Sequence, residues 1–174
     1  MSAKSQEFSE GDWIVHLVYG IGQIEAVEKK AIGGEARRYY RVRAEESEYW
    51  VPIDEAGNDS VRPLASPHRI RRALRILKEA PEKMASNYKI RRKRIRDTTL
   101  DGTLRSDIEL MRDLFARQNA RGLNPTEEES FRTLKNRFLK EWSLSLNIDI
   151  EEARKKFNDL LQQSQELPQN GVQS

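Results

Sequence analysis

Short runs of β-branched and aromatic residues, each followed by turn residues, fill the first third of the chain. Residues 37–43 read RRYYRVR, and neither alternating face of this run is purely apolar. Runs of this length, with turns every eight to twelve residues, are typical of small barrels or strongly bent sheets. The pattern therefore predicts five strands, within residues 12–17, 19–32, 37–44, 48–53 and 61–64, with a loop at 55–59.

From Ser66 onward the apolar residues recur at helical spacing. Ser66 is suited to cap a helix that begins at Pro67, and its inward stripe is predicted to be Ile70, Ala73, Leu74 and Leu77. A second helix is expected from about residue 86 to residue 98. Further helices are predicted between Thr103 and Gly122, after Asn124 with Glu127 in a capping box, and from Asp149.

The two patterns together predict an α+β protein. A small β-barrel domain is expected at residues 8–64 and a five-helix domain at residues 66–165. The polar tail, residues 166–174, is predicted to be disordered.

Positive charge is concentrated in one segment of an otherwise nearly balanced chain. Residues 65–98 contain 12 basic and 3 acidic residues, whereas the whole chain carries a net charge of +3. The densest part is NYKIRRKRIRD, residues 87–97, in which six of eleven residues are Lys or Arg. Basic residues concentrated in this way create a positive electrostatic potential, which favours an anionic partner such as nucleic acid. The alternative is a solvated helix face that binds nothing.

Little in the sequence points to catalysis, a metal or a cofactor. The chain has no cysteine, and its two histidines, His16 and His68, are far apart in sequence. The stretch GIGQIE, residues 20–25, lacks the third glycine and the following helix of a dinucleotide site. We therefore expect a non-enzymatic protein without a cofactor.

No apolar run has the length needed to cross a bilayer, and the first residues, MSAKSQEFSEGD, lack the apolar region of a signal peptide. The absence of cysteine fits a reducing compartment. The expectation is a cytoplasmic protein without a membrane partner, and we expect a monomer.

Two separated blocks of the chain carry a further pattern. The first, in residues 8–43, consists of Gly11, Asp12, Gly20, Gly22, Ile24, Glu28, Gly34, Glu35, Tyr39 and Tyr40, and a later strand carries Val51-Pro52. The second is residues 111–129, MRDLFARQNARGLNPTEEE. In this order the two blocks resemble the CarD family of bacterial transcription regulators, the second block its helical half. The first turn departs from the family's Tyr-Pro-x-His-Gly, since it reads His16-Leu17-Val18-Tyr19-Gly20.

The resemblance implies a fold and partners. Its β-domain is similar to a Tudor-like or SH3-like RNA polymerase-interacting module, also found in transcription-repair coupling factors, that binds the polymerase β subunit. The helical domain would contact promoter DNA at the upstream edge of the bubble without reading its sequence, which stabilises the open complex. The protein would then accompany polymerase on the nucleoid. The alternative is a general nucleic-acid binder acting on RNA or ribosomes, which leaves the β-domain without a role.

The resemblance also implies contact residues. On the polymerase side they are Lys30, Ile32 and Trp50, although Trp50 could equally lie in the core. On the DNA side, Lys89 best matches a basic contact of the family, and its neighbours are Asn87, Arg91, Arg92 and Lys93. Met84 occupies the position where many members carry a Trp that wedges into the opened DNA, and the alternative for Met84 is ordinary packing.

Overall fold

A computed structural model of the chain describes residues 7–54 and 60–169. The chain divides into two compact units between Leu64 and Ala65. The loop predicted at 55–59 and the last five residues of the predicted disordered tail lie outside the described residues.

The first unit is a five-stranded antiparallel sheet with the strand order β4-β3-β2-β1-β5. The strands are β1 Trp13–His16, β2 Gly20–Lys30, β3 Arg37–Arg43, β4 Glu48–Pro52 and β5 Val61–Pro63, which confirms the five predicted strands. The sheet is open, with β4 and β5 at its edges, so the predicted closed barrel is not seen among the described strands. Edge strands of five and three residues offer little main chain for a closing ladder.

Val15 and Ile21 are buried on one face of the sheet, and the other face carries the main apolar cluster. This cluster is formed by Phe8, Ile14, Ile24, Tyr40, Val42, Tyr49, Val51 and Val61. Gly22 lies in β2 at a close approach, because a Cβ at this position would lie 2.5 Å from Cγ1 of Val42. This glycine therefore serves packing within the sheet, as expected for a strand glycine beside a bulky neighbour.

The second unit contains the five predicted helices. They are α1 Pro67–Leu77, α2 Tyr88–Asp101, α3 Leu104–Arg121, α4 Pro125–Leu146 and α5 Ile150–Gln165. Each helix begins after a polar N-cap whose side chain accepts a backbone N–H of the first turn: Ser66, Asn87, Thr103, Asn124 and Asp149. Four of these caps were predicted from the sequence, and the capping box between Asn124 and Glu127 is also confirmed.

The helical core is formed mainly by side chains from α1, α3, α4 and α5, and Met84, between α1 and α2, also belongs to it. The fully buried members of the core include Ile70, Leu77, Ile108, Met111, Leu114, Leu139, Phe157 and Leu161. In α1 the predicted Leu74 is only partly buried, and Ile76 joins the core instead. Helix α2 differs from the others, since its only buried residues are Arg91 and Thr98. Within the described part of the chain, no helix is both long and apolar enough to span a bilayer.

Candidate nucleic-acid and protein interfaces

Helix α2 presents its basic side chains in two directions. At 100° per residue, Lys89, Lys93 and Arg96 share one side of the helix, with Arg92 beside them, and all four are exposed. Lys93 forms an exposed ion pair with Asp97 at 2.5 Å. Lys89, Arg92 and Arg96 form no salt bridge with any residue that the structure describes. This outward side is called the basic face below.

Asn87 is committed to the start of α2. Its side-chain oxygen accepts the backbone N–H of Lys89 at 2.8 Å and satisfies one of the free N–H groups of the first turn. Asn87 therefore helps to position Lys89. Asn87 was itself predicted to lie beside the DNA, and its side-chain oxygen is already used by this cap.

Arg91, one of the predicted DNA contacts, points into the helical unit and away from the basic face. Its side chain is 7% exposed, and its Nε donates to Oε1 of Glu127 at 2.6 Å. Its Nη1 donates to the carbonyl oxygens of Ala85 and Ser86, at 3.1 and 2.7 Å. Three of the five N–H donors of this guanidinium are used inside the unit, and a side chain this buried presents little surface to a phosphate.

The carboxylate of Glu127 joins two parts of the unit. Its Oε2 accepts the backbone N–H of Asn124 at 3.1 Å, while its Oε1 accepts from Arg91. The start of α4 is thereby tied to α2. Glu127 is 1% exposed, so this ion pair is sequestered from water.

A second buried carboxylate, Asp113 of α3, holds the other side of α2. Its Oδ2 accepts from Arg94 at 2.5 Å, and its Oδ1 accepts from Arg112 at 2.9 Å. Its Oδ1 also accepts the backbone N–H of Glu82 at 2.8 Å, in the segment between α1 and α2. With Arg91 and Arg94 directed inward, the rotation of α2 about its axis is determined, and the basic face is turned outward.

Met84 lies in the helical core, which favours ordinary packing over the wedge interpretation of this residue. Its side chain is 6% exposed and packs in the helical core. Its remaining surface lines a narrow groove with Lys83, Arg117 and Arg121 among the other lining residues. A side chain this deeply buried would have to leave the core before it could stack on a base.

On the sheet, Lys30 and Trp50 are brought together. The Lys30 ammonium lies 3.5 Å from the centre of the Trp50 ring, a cation–π arrangement. Trp50 Nε1 donates to Oε2 of Glu28 at 3.0 Å, and Lys30 pairs with the same carboxylate at 3.4 Å. The hydrogen bond from Trp50 is the main reason why the pKa of Glu28 lies below its usual value.

Trp50 is not a core residue. The alternation of β4 buries Tyr49 and Val51 and places Trp50 on the opposite face, beside Lys30 and Glu28. Ile32, in the connection between β2 and β3, is 55% exposed. The three predicted polymerase contacts therefore all have exposed or partly exposed side chains.

The main chain of β4 is available beside this cluster. The backbone N–H of Ile53 donates to the carbonyl oxygen of Arg38, and that of Ala44 donates to the carbonyl oxygen of Ser47. In an antiparallel pair every second residue pair is hydrogen-bonded, so these two bonds determine which residues of β4 bond to β3. By this alternation the N–H and C=O groups of Glu48 and Trp50 point away from β3. At the other edge, the same alternation directs the main-chain groups of Val61 and Pro63 away from β1. Pro63 has no N–H to donate there.

The sheet also holds an aromatic cluster, of His16, Tyr19 and Tyr49, that was not predicted from the sequence. The rings of His16 and Tyr19 lie 4.7 Å apart, and Tyr19 stacks on Tyr49 at 5.0 Å. Nδ1 of His16 accepts the backbone N–H groups of Val18 and Tyr19, at 3.0 and 3.2 Å. Burial lowers the pKa of His16 from 6.5, which favours the neutral ring that these two bonds require.

Comparison with known proteins agrees with this two-part architecture. Residues 8–65 match the CarD-like/TRCF RID domain, and residues 72–158 match the CarD C-terminal domain. The chain belongs to the CarD family. It is also 27% identical over 124 residues to "Putative transcription factor YdeB" of Bacillus subtilis (strain 168), over 70% of this chain and 81% of that protein.

CarD-family membership supports a transcription regulator. The first match covers the sheet with Lys30, Ile32 and Trp50, and the second covers all of α2. Both candidate interfaces of this CarD-family chain thus lie in matched segments. Among the described residues, no group of His, Cys, Asp or Glu side chains is arranged to hold a metal ion.

Proposed function

We propose that this CarD-family protein binds RNA polymerase through its sheet and promoter DNA through the basic face of α2. The polymerase contact is assigned to the β subunit, and the DNA contact to the upstream edge of the bubble. Holding the two together stabilises the open complex. The observation that carries the proposal is the outward side of α2, where Lys89, Arg92 and Arg96 are exposed and form no salt bridge with a described residue.

The polymerase interface is proposed at the β4 edge. Outward main-chain groups of Glu48 and Trp50 could extend a partner's sheet, and such pairing takes affinity from the main chain and specificity from side chains. Lys30 and Trp50 lie beside this edge, and the exposed Ile32 adds apolar area. The β5 edge is a poorer candidate, because Pro63 removes one of its donors.

The DNA interface is proposed to be electrostatic. Three or four cations of the basic face would neutralise phosphates, which predicts a slope of log K against log salt of roughly −3 to −4 on duplex DNA. Phosphate contacts position a protein and carry no direct sequence information. Weak binding of this kind becomes effective once polymerase holds the protein near the promoter, because the second contact is then intramolecular.

The test uses full-length protein with charge changes on one interface at a time. Lys30→Glu should weaken binding to the isolated polymerase β subunit and leave binding to free duplex DNA unchanged. Lys29→Glu is the matched control, since Lys29 is exposed on the same strand and its side chain points to the other face. Both affinities can be measured by biolayer interferometry at one salt concentration.

The complementary variant removes charge from α2. Lys89→Gln combined with Arg96→Gln should weaken duplex binding and shorten the lifetime of the open complex, with polymerase binding unaffected. Lys155→Gln on α5 is the control for loss of an exposed cation elsewhere. Nucleic-acid binding without any affinity for polymerase would instead favour a general nucleic-acid-binding protein.

A further inference from the structure

Helix α2 opens with an exposed aromatic side chain. Tyr88, its first residue, is 44% exposed and precedes Lys89 of the basic face. An exposed aromatic ring beside cations offers a flat apolar surface for stacking together with positive charge for phosphates. The combination matches the composition of surfaces that bind single-stranded nucleic acid, where aromatic rings alternate with basic side chains.

The ring of Tyr88 is held in place from beneath. The guanidinium carbon of Arg91 lies 5.9 Å from the centre of the ring, within the range of a cation–π contact. Arg91 is itself fixed by Glu127 and by two main-chain carbonyl groups. A ring that already packs against a hydrogen-bonded side chain loses less conformational freedom when a ligand stacks on it, and this lowers the entropic cost of binding.

The surroundings of Tyr88 suit one nucleotide. Arg92 lies four residues further along the helix on the same side as Tyr88, and Lys89 is adjacent in sequence. Both cations are exposed and form no salt bridge with any described residue, so they can take phosphates on either side of a stacked base. In an intact duplex the bases are already stacked and paired, so only an unpaired base offers its face.

We propose that Tyr88 stacks on an unpaired DNA base while Lys89 and Arg92 hold the flanking phosphates. This inference rests on the proposed function and extends it, because it assigns a contact with opened DNA to a residue that is exposed. The same end of α2 would then distinguish melted from double-stranded DNA. Discrimination of this kind needs no sequence preference, since every base has a π-face.

The experiment measures binding of full-length protein to an oligo(dT) strand and to a blunt duplex by fluorescence anisotropy. Tyr88→Ala should weaken single-strand binding about tenfold, as expected for the loss of one base–aromatic stack, and change duplex binding less than twofold. Tyr88→Phe and Tyr88→Trp should retain single-strand affinity, because each keeps an aromatic ring. Leu100→Ala is the control, as Leu100 is an apolar residue, 67% exposed, near the other end of α2.

A second variant separates stacking from support of Arg91. Tyr88→Leu keeps apolar bulk over the guanidinium without a ring, so it should retain the thermal stability of the wild type and lose single-strand affinity like Tyr88→Ala. Equal losses on strand and duplex, or full affinity in Tyr88→Leu, would overturn the proposal. An oligo(U) strand should bind no more tightly than oligo(dT), and a Tyr88-dependent preference for the RNA strand would overturn the assignment to DNA.

These outcomes are distinct from a failure of the proposed function. If the wild-type protein bound neither duplex nor strand, the DNA role of α2 would fall together with the role of Tyr88. If duplex binding kept its steep salt dependence while Tyr88→Ala bound oligo(dT) normally, only the stacking inference would be rejected.

Discussion

Replacing Arg91 tests how the structure divides the basic residues of α2. The Arg91–Glu127 pair joins atoms 2.6 Å apart, with side chains only 7% and 2% exposed. Removing one member of a buried pair leaves the other charge unpaired away from water, which costs about 3–5 kcal/mol. We therefore expect Arg91→Met to lower the free energy of unfolding by about that amount, a large share of the total stability of a domain.

The assay is urea denaturation followed by circular dichroism, with DNA binding measured under conditions where the variant is still folded. Lys93→Met serves as the comparison, since the Lys93–Asp97 pair is exposed and should contribute about 0–1 kcal/mol. In folded protein Arg91→Met should retain the salt slope of duplex binding, whereas Lys93→Met should reduce it by up to about one unit. A stable Arg91→Met variant with a reduced slope would show that Arg91 faces the DNA and would refute the assignment.

A double variant identifies the source of the loss. Arg91→Met combined with Glu127→Leu removes both charges, so no carboxylate is left unpaired in the interior. The double variant should therefore lose clearly less stability than the two single variants lose together. Simple additivity would mean that the pair does not interact as its geometry indicates.

Three further predictions concern separate parts of the molecule. Lys89→Gln should flatten the slope of log K against log salt on duplex DNA by about one unit, measured by anisotropy over a salt series. Met84→Ala should lower the free energy of unfolding by about 2–5 kcal/mol in urea titrations, because the side chain is 6% exposed in the core. The folded state also holds the pKa of His16 below 6.5, so unfolded chains bind the proton first as the pH falls. The stability of the sheet should therefore be complete above pH 6.5 and decrease below it, which urea titrations over a pH series will measure.

Each of these has an outcome that would count against it. An unchanged slope in Lys89→Gln would remove this residue from the interface. A Met84→Ala variant of wild-type stability that releases opened DNA faster would restore the wedge interpretation. For the histidine, His16→Gln should lose this component of the pH dependence, and an unaltered profile would assign it to other groups.

Much of the architecture follows from local patterns. The caps Ser66, Thr103, Asn124 and Asp149 mark where helices begin, because a short polar side chain satisfies the free N–H groups of the first turn wherever it occurs. The five strands were likewise evident, since turn residues separate runs that favour extended backbone. Helix caps and turns can be predicted from the sequence because the interactions that form them involve residues only a few positions apart.

The tertiary structure decided which basic residues of α2 face the interior and which face outward. Lys89 and Arg91 are both basic residues of one helix, and α2 has no apolar stripe from which its inward side could be predicted. The answer depends on Glu127 and Asp113, which are 36 and 19 residues from their partners Arg91 and Arg94. For Trp50 and Met84 the sequence left surface and core both open, and the tertiary structure decided between them. The sheet leaves Trp50 on the face opposite its main apolar cluster, and the packing of the helices encloses Met84. Burial of a single side chain is a property of everything packed around it, and that information is spread over distant parts of the chain.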